Sequence, residues 1–440
     1  MNWKTLFTNH ISTMNQRLEK VCNDLGVDSV VIGSGSSQYF FEDDQDLPFR
    51  SNHHFAHWCP HPGQGHLLQL KPGEKPKLLV YQPDDFWSEH QSIQASDWTE
   101  SFEIQEFTDP DKIWQALEKS GRTVYHGPDV QLAEAAGLDI DAQELLPRLN
   151  WNRSFKTEYE VACITEATQK AAKAHESAED CFRAGGSELD IHFAYLQSLR
   201  SLDRQLPYES IVCLNEKAAI LHYPNKRDHV RHGMSLLIDS GAAYRGYACD
   251  ITRTYASDKA PALFHELLES MQKLQQKLCK MVKIGFSMAD IHYQSHLSIA
   301  NTLLEFGIIK NISAEDAVKE GISASFYPHG VGHMLGLLVH DVAGKQIDET
   351  GRQGEPDHRF PKLRSVRKLL PGNLVTIEPG VYFIDSLLKQ QESGNFNQHF
   401  DWDLIASLRS CGGIRIEDNV LVTDGEALNI TREFLGDRKN

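Results

Sequence analysis

The stretch FYPHGVGHMLGLLVHDV, residues 326–342, sets three histidines, His329, His333 and His340, among glycines and large apolar residues. Imidazoles in a segment otherwise suited to burial either satisfy backbone hydrogen bonds or act as metal ligands, bases and hydrogen-bond donors. The plain reading is a trio of core histidines. His329 and His333 have the i, i+4 spacing of a helical zinc pair. Gly330 and Gly332 between them oppose a helix, and no Glu follows His329 as an HExxH site requires. The segment reads instead as irregular, close-packed chain that presents its histidines singly.

Carboxylates recur in similar settings. SLLIDSGAAYRGYACDITRTY, 235–255, reads as two alternating strands around a turn near 243–246. A hairpin symmetric about Tyr244–Arg245 sets Asp239 opposite Asp250. Facing side chains lie about 4.5–5.5 Å apart at Cβ, and like charges there are destabilising. One aspartate turned to solvent would remove the conflict, but Asp239 ends the apolar run Leu236–Leu237–Ile238, the mark of a buried strand. LVTIEPG, 374–380, ends in Glu378 before a Pro–Gly turn. GGIRIEDNVLV, 412–422, alternates, so Arg415 and Glu417 share the face opposite Ile414 and Ile416. An exposed ion pair is the plain reading of Arg415 and Glu417, and either glutamate alone would be unremarkable.

Taken together the set is Asp, Asp, His, Glu, Glu. Burying several unpaired carboxylates is very costly. Two divalent cations would neutralise them, sharing bridging carboxylates and a hydroxide at about 3.5–4 Å separation. An oxygen-rich set with one imidazole suits Mn²⁺ or Co²⁺, with Zn²⁺ as a further choice, and is unlike a Cys-rich structural zinc site.

The elements that must position these groups fall into two parts. VDSVVIG, 27–33, and KPKLLVYQP, 75–83, read as strands, and DPDKIWQALEKSG, 109–121, as a helix that Gly121 could cap. Residues 1–154 therefore read as a small α/β domain. The proline and turn formers of LLPRLNWNRS, 145–154, mark the boundary. Beyond it, Ile164, Ala167, Ala171, Ala174 and Ala178 recur at helical spacing within 156–182 and give that helix a small-residue face. Helices over 262–283 and 288–306 then mix with strands over 235–241, 247–255, 373–378 and 414–422. Two motifs are decoys. GSGSS, 33–37, lacks both the GK[ST] ending and the GxGxxG spacing of a phosphate loop. HHFAHWCPHPGQGH, 53–66, has five histidines and one cysteine, but its prolines and glycines favour an irregular loop over a metal tract.

The chain of 440 residues is long enough for two domains and a sizeable core. Lys plus Arg total 44 against 61 for Asp plus Glu, a formal net charge of −17, and no run of five basic residues occurs. That balance argues against a nucleic-acid partner. Eight scattered cysteines without CxxC read as free thiols. With neither a signal-like h-region nor an 18-residue apolar run, no membrane span is expected, and the cytoplasm is the expected compartment.

At this point the ordered set D-x10-D, PHGVGHMLGLLVHD, TIEPGVYF and GGIRIED resembles the creatinase/aminopeptidase P superfamily. Within it the chain is most similar to the bacterial prolidase (Xaa-Pro dipeptidase) branch, also called organophosphorus acid anhydrolases. The motifs are specific over 205–420 and looser before 150, where FFEDDQDLPFRSN, 40–52, still looks like that branch. The resemblance implies an α+β fold: a pita-bread metallopeptidase catalytic domain, 155–440, behind the smaller N-terminal α/β domain. It implies Asp239, Asp250, His333, Glu378 and Glu417 as ligands of two divalent ions, Mn²⁺ first, with Asp250 and Glu417 bridging. It implies hydrolysis of Xaa-Pro dipeptides by a bridging hydroxide, with Glu378 as proton shuttle and His340 donating to the oxyanion. Arg415 is expected on the substrate carboxylate, His222 and His329 on the substrate side, and Tyr208 at the small pocket. Asp44 is expected to reach the substrate amine from a neighbouring subunit of a homodimer. Organophosphorus esters or fluorides would be side substrates, although Met288 stands near the position of a pocket tyrosine in the relatives active on them. The rival readings are an aminopeptidase P acting on longer peptides and a non-catalytic pita-bread binding protein.

Overall fold

The computed structural model describes residues 1–87, 93–119, 121–140 and 143–436. They divide into two compact units. The first comprises 1–162 with 348–352, and the second 163–347 with 353–440.

The first unit opens with the helix Trp3–Leu25. Asn2 caps it by accepting from the Thr5 N–H, and Gly26, at φ 61°, ends it. Phe7, Ile11, Met14, Leu18 and Val21 form its buried stripe. Five strands follow: β1 Ser29–Gly33, β2 Leu67–Leu70, β3 Lys77–Tyr81, β4 Glu103–Phe107 and β5 Thr123–His126. They form one mixed sheet in the order β4-β3-β2-β1-β5, with β1/β5 and β3/β4 parallel.

Two local expectations give way here. The helix expected over 109–121 spans only Pro110–Gln115. The side-chain amide of Gln69 accepts from the Glu118 N–H and donates to the Glu118 carbonyl, so that backbone bonds to the sheet side and not to the helix. Gly121 stands past the helix end at φ 66°, and Ser120 lies outside the described residues. Residues 145–154 are a helix, Leu145–Arg153, not a turn. Pro147 falls in its first turn, where a missing N–H costs nothing. Within 53–66, His54 bonds to Asn150 Oδ1, and His66 Nδ1 accepts from the Tyr81 N–H while its ring stacks on His61.

In the second unit the helix Glu158–Arg183 buries Ile164, Ala167, Ala171, Ala174 and Ala178 completely. Its alanines pack against Ala242, Cys249 and Ile251, so the small face receives the hairpin that bears Asp250. The strands are β6 Ile211–Leu214, β7 Ser235–Asp239, β8 Ala243–Tyr244, β9 Tyr247–Ala248, β10 Thr252–Ala256, β11 Leu374–Ile377, β12 Gly380–Tyr382, β13 Gly413–Arg415, β14 Asp418–Leu421 and β15 Leu428–Asn429. β7 lies between β6 and β10, and β14 between β11 and β15. A bridge from Thr252 to Glu417 ties the first of these sheets to the 413–421 segment. The helices Ala262–Cys279 and Met288–Glu305 pack into the large apolar core of this unit, and Met288 is wholly buried in it.

The hairpin register differs from the one expected. The turn is Arg245–Gly246, at φ 51° and 85°, the left-handed pair that a two-residue hairpin of matching twist requires. Gly246 takes the second of those positions without a Cβ penalty. Asp239 therefore pairs with Thr252, not Asp250. A slip of two residues preserves the face, so both aspartates still point the same way. Among the described residues no helix is long and apolar enough to cross a membrane.

The first unit also buries several imidazoles. Burial lowers His57 to about 4 against the opposing pull of Glu160, and lowers His66 to about 3. His57 Nε2 stands 3.2 Å from Glu160 Oε1 without hydrogen-bond alignment. Both histidines bind a proton more readily unfolded, near 6.5, than folded. Their contribution is complete above about pH 6.5 and is lost as pH falls towards 4. Urea midpoints measured in excess chelator are expected to fall between pH 7 and pH 4.5, and His66→Gln to reduce that slope. An unchanged slope in the variant contradicts the assignment.

Candidate metal centre

Each candidate side chain is placed by a strand or by a segment pinned to one. Asp239 is the last residue of β7, and Asp250 lies between β9 and β10 with its N–H donated to Asn419 Oδ1. Glu378 directly follows β11. Glu417 sits between β13 and β14, where its N–H donates to the Thr252 carbonyl and its Oε2 accepts from Thr252 Oγ1 at 2.8 Å. Arg253 reinforces this point, donating to the Glu417 carbonyl and to the buried Asp418.

The 327–341 segment has no helix. It runs beside β11, with Thr376 N–H donating to the His333 carbonyl and Glu378 N–H to the Val331 carbonyl. Gly332 permits this approach, since a Cβ there would collide with the Thr376 carbonyl. The backbone route thus delivers His333 and Glu378 to one place. His333 Nδ1 lies 3.0 Å from the Met334 carbonyl, an acceptor only, so Nδ1 carries the proton and Nε2 is left with its lone pair.

The groups converge. Asp250, His333 and Glu417 each offer a ligand atom within 4.8 Å of the other two, and all three are buried. His333 Nε2 is 3.5 Å from Asp250 Oδ2, 3.8 Å from Glu378 Oε1 and 3.9 Å from Glu417 Oε1. Asp239 joins through the Tyr208 hydroxyl, which stands 2.8 Å from Asp239 Oδ1 and 2.5 Å from Asp250 Oδ1. One hydroxyl hydrogen cannot satisfy both carboxylates.

The electrostatics show what is missing from the protein's own groups. Burial raises Asp239 against the pull of Arg415, and raises Glu378 to about 7 against His333 and Arg415. Burial and then Asp250 and Glu378 push Glu417 far above the carboxylate range. Asp250 is also penalised by burial, but a positive His333 ring, whose place a cation on the Nε2 lone pair would take over, outweighs that and holds it below the usual value. Glu417 Oε1 is buried without a hydrogen-bond partner. Four carboxylates, one lone-pair imidazole and an orphaned oxygen fit divalent cations: the donors are hard, and the cations supply the charge that the protein does not.

Around this centre the structure rearranges some expected roles. Arg415 is 4 % exposed and does not stand open to substrate. It donates to Asp239 Oδ2 at 2.6 Å, to the Tyr382 oxygen at 3.0 Å and to Thr252 Oγ1 at 3.3 Å. His329 has both nitrogens engaged. Nδ1 donates to the Gly330 carbonyl at 2.9 Å, so Nε2 accepts from the Tyr382 hydroxyl at 2.8 Å. Its Nδ1 also lies 3.6 Å from Glu378 Oε2. His340 meets His333 edge to face, with centroids 4.5 Å apart, and enclosure, His333 and Arg364 lower it to about 4. His222 is exposed, and its neighbour Tyr223 is buried in one apolar cluster with Tyr382, the tyrosine bonded to His329. Asp44 lies in the first unit on an exposed turn.

Three neighbours escaped the sequence reading. Tyr382, Thr252 and Arg364 touch or influence the site. The only signal for Tyr382 was its place in TIEPGVYF. Thr252 becomes visible only with the correct hairpin register. Arg364 lies in an irregular stretch without periodicity.

The chain matches the profile of metallopeptidase family M24 over residues 162–424 and that of the Xaa-Pro dipeptidase N-terminal domain over 5–151. It is 41 % identical to an Xaa-Pro dipeptidase of Proteus mirabilis over 438 residues, covering 98 % of each chain. It is 40 % identical to one of Shewanella amazonensis, over 98 % of this chain and 99 % of the other. In structure it is similar to proline aminopeptidase P II from Yersinia pestis, with a TM-score of 0.74 at 22 % identity, covering 99 % and 97 % of the two chains. That likeness speaks for the fold.

Asp250→Ala removes the carboxylate nearest His333. Loss of an outer partner of a metal ligand costs about 10–100-fold in affinity, so loss of this ligand is expected to cost at least ~100-fold. Metal analysis after gel filtration should show the variant stripped. Wild-type metal content in the variant would contradict the assignment.

Proposed function

The chain belongs to metallopeptidase family M24, and from that membership we propose that it hydrolyses Xaa-Pro dipeptides in a divalent-metal-dependent reaction. The observation that carries this reading is the buried meeting of Asp250, His333 and Glu417, with Asp239 and Glu378 alongside. These five side chains would hold two ions per chain, Mn²⁺ before Co²⁺ or Zn²⁺, with Asp250 and Glu417 shared. Bound ions would polarise the scissile carbonyl and lower the pKa of a water. The protein's own groups do the rest. Glu378, between His333 and His329, takes up a proton and passes it to the departing proline nitrogen. His340 donates a hydrogen bond to the developing oxyanion, and its neutral ring keeps one N–H for that purpose. The catalytic unit corresponds to 155–440.

The substrate carboxylate needs an arginine with free donors. Arg415 serves Asp239 and Tyr382 and so fixes the ligand shell. Arg364 is exposed and close enough to His340 to lower its pKa, and we assign the carboxylate to it. Tyr208, on the hydroxyl side of Asp239 and Asp250, walls the pocket for the first residue. Asp44 would meet the free amine from the second chain of a homodimer. Tyr39 and Phe41 beside it are 65 % and 91 % exposed, an apolar surface suited to burial against a partner. Organophosphorus esters and fluorides would be side substrates, the phosphoryl group taking the carbonyl's place. The cytoplasm is the compartment consistent with free thiols.

Turnover of Ala-Pro and of Ala-Pro-Ala separates this reading from an aminopeptidase P. The dipeptide alone should be cleaved, and faster cleavage of the tripeptide overturns the reading. Arg364→Ala is expected to raise KM for the free dipeptide by about 10–100-fold, the worth of a charge-assisted contact, and to leave a C-terminal amide analogue nearly unaffected. Equal effects on both substrates remove Arg364 from the carboxylate.

A further inference from the structure

Glu188 opens the helix Glu188–Leu199 and is completely buried, yet none of its chemistry enters the reaction described above. A buried carboxylate is costly unless its oxygens are saturated. Here they are. Oε1 accepts from the Leu214 N–H at 2.9 Å, from Arg227 Nε at 3.1 Å and from Arg227 Nη2 at 2.7 Å. Oε2 accepts from the Tyr223 hydroxyl at 3.1 Å and from the Arg227 N–H at 2.7 Å. Arg227 closes the arrangement by donating to the Leu214 carbonyl and to Glu216 Oε1.

These partners belong to one segment. Leu214 ends β6, Tyr223 lies in the middle, and Arg227 stands at the far side. One side chain thus holds the start, middle and end of 214–227. Between them sits His222, the residue before Tyr223. Its ring makes no hydrogen bond among the described residues, so its place is set by its backbone, next to Tyr223 on the side of Tyr382 and His329. Tyr223 adds a second tie, packing in one apolar cluster with Leu237 and with Tyr382, the tyrosine bonded to His329 and Arg415.

We infer that Glu188, acting through Tyr223 and Arg227, is the positioning residue that fixes His222 at the substrate side of the metal centre. The inference rests on the reading of His222 as a substrate-side residue. Glu188 touches neither substrate nor metal ligand, so its substitution acts on the reaction only through the segment it holds.

The test is a double-substitution cycle on the metal-loaded enzyme with an Xaa-Pro dipeptide. The variants are Glu188→Gln, Tyr223→Phe, His222→Ala and the two doubles with His222→Ala, with kcat, KM and metal content measured for each. Glu188→Gln is expected to lower kcat/KM by about tenfold and Tyr223→Phe by about threefold, as loss of charged and single hydrogen bonds does. Both should change the same parameter, kcat or KM, that His222→Ala changes, with metal content intact. Neither should cause further loss once His222 is gone. Losses that multiply in the doubles, wild-type kinetics in both single variants, or loss of metal overturn the inference while leaving the His222 reading in place. Wild-type kinetics in His222→Ala overturns that reading, and this inference with it. Tyr223→Phe removes one oxygen, so the cycle remains decisive where Glu188→Gln fails to fold.

Discussion

Four carboxylates brought together in a buried place cannot all be ionised on the protein's own resources. That constraint organises the second unit. Arg415 answers Asp239, His333 answers Asp250, and Glu417 Oε1 is left without a hydrogen bond. The deficit is positive charge in a pocket of hard donors, and divalent cations are the chemistry that supplies it. A hydrophobic core with these residues replaced would be easier to fold, so the arrangement marks function, not stability.

The fold works to keep that unfavourable meeting in place. The small face of the helix Glu158–Arg183 lets the Asp250 hairpin lie close. β11 pins the irregular 331–335 segment, so that His333 and Glu378 arrive from opposite directions. Thr252 binds Glu417 by backbone and side chain alike. Outside this shell, Tyr382 links Arg415 to His329, and Glu188 ties the segment bearing His222. The site is layered: carboxylates at the centre, arginine, tyrosine and threonine holding them, and a buried glutamate holding the rim.

Much of this was legible in the chain. Alternation around Asp239 and Glu417, and glycines flanking His333, pointed to buried strands and an irregular histidine segment, and the structure has both. What failed did so for specific reasons. The hairpin register depended on which two residues could take left-handed φ, and Arg245–Gly246 differs from a symmetric guess by two in the pairing. The stretch 145–154 looked like a linker because a proline was read as a breaker, whereas in a first helical turn it costs nothing. The helix at 110 ended early because a glutamine distant in sequence captured the Glu118 backbone. The bonds of Arg415 to Asp239 and Tyr382 were not foreseen, because a shared strand face says nothing about which partner is nearer. Long-range hydrogen bonds decide such matters, and periodicity does not report them.

The most direct measurement is anomalous diffraction from crystals grown with Mn²⁺. The account predicts two anomalous peaks per chain enclosed by Asp239, Asp250, His333, Glu378 and Glu417. A single peak elsewhere, or no peak among these side chains at saturating metal, would contradict it.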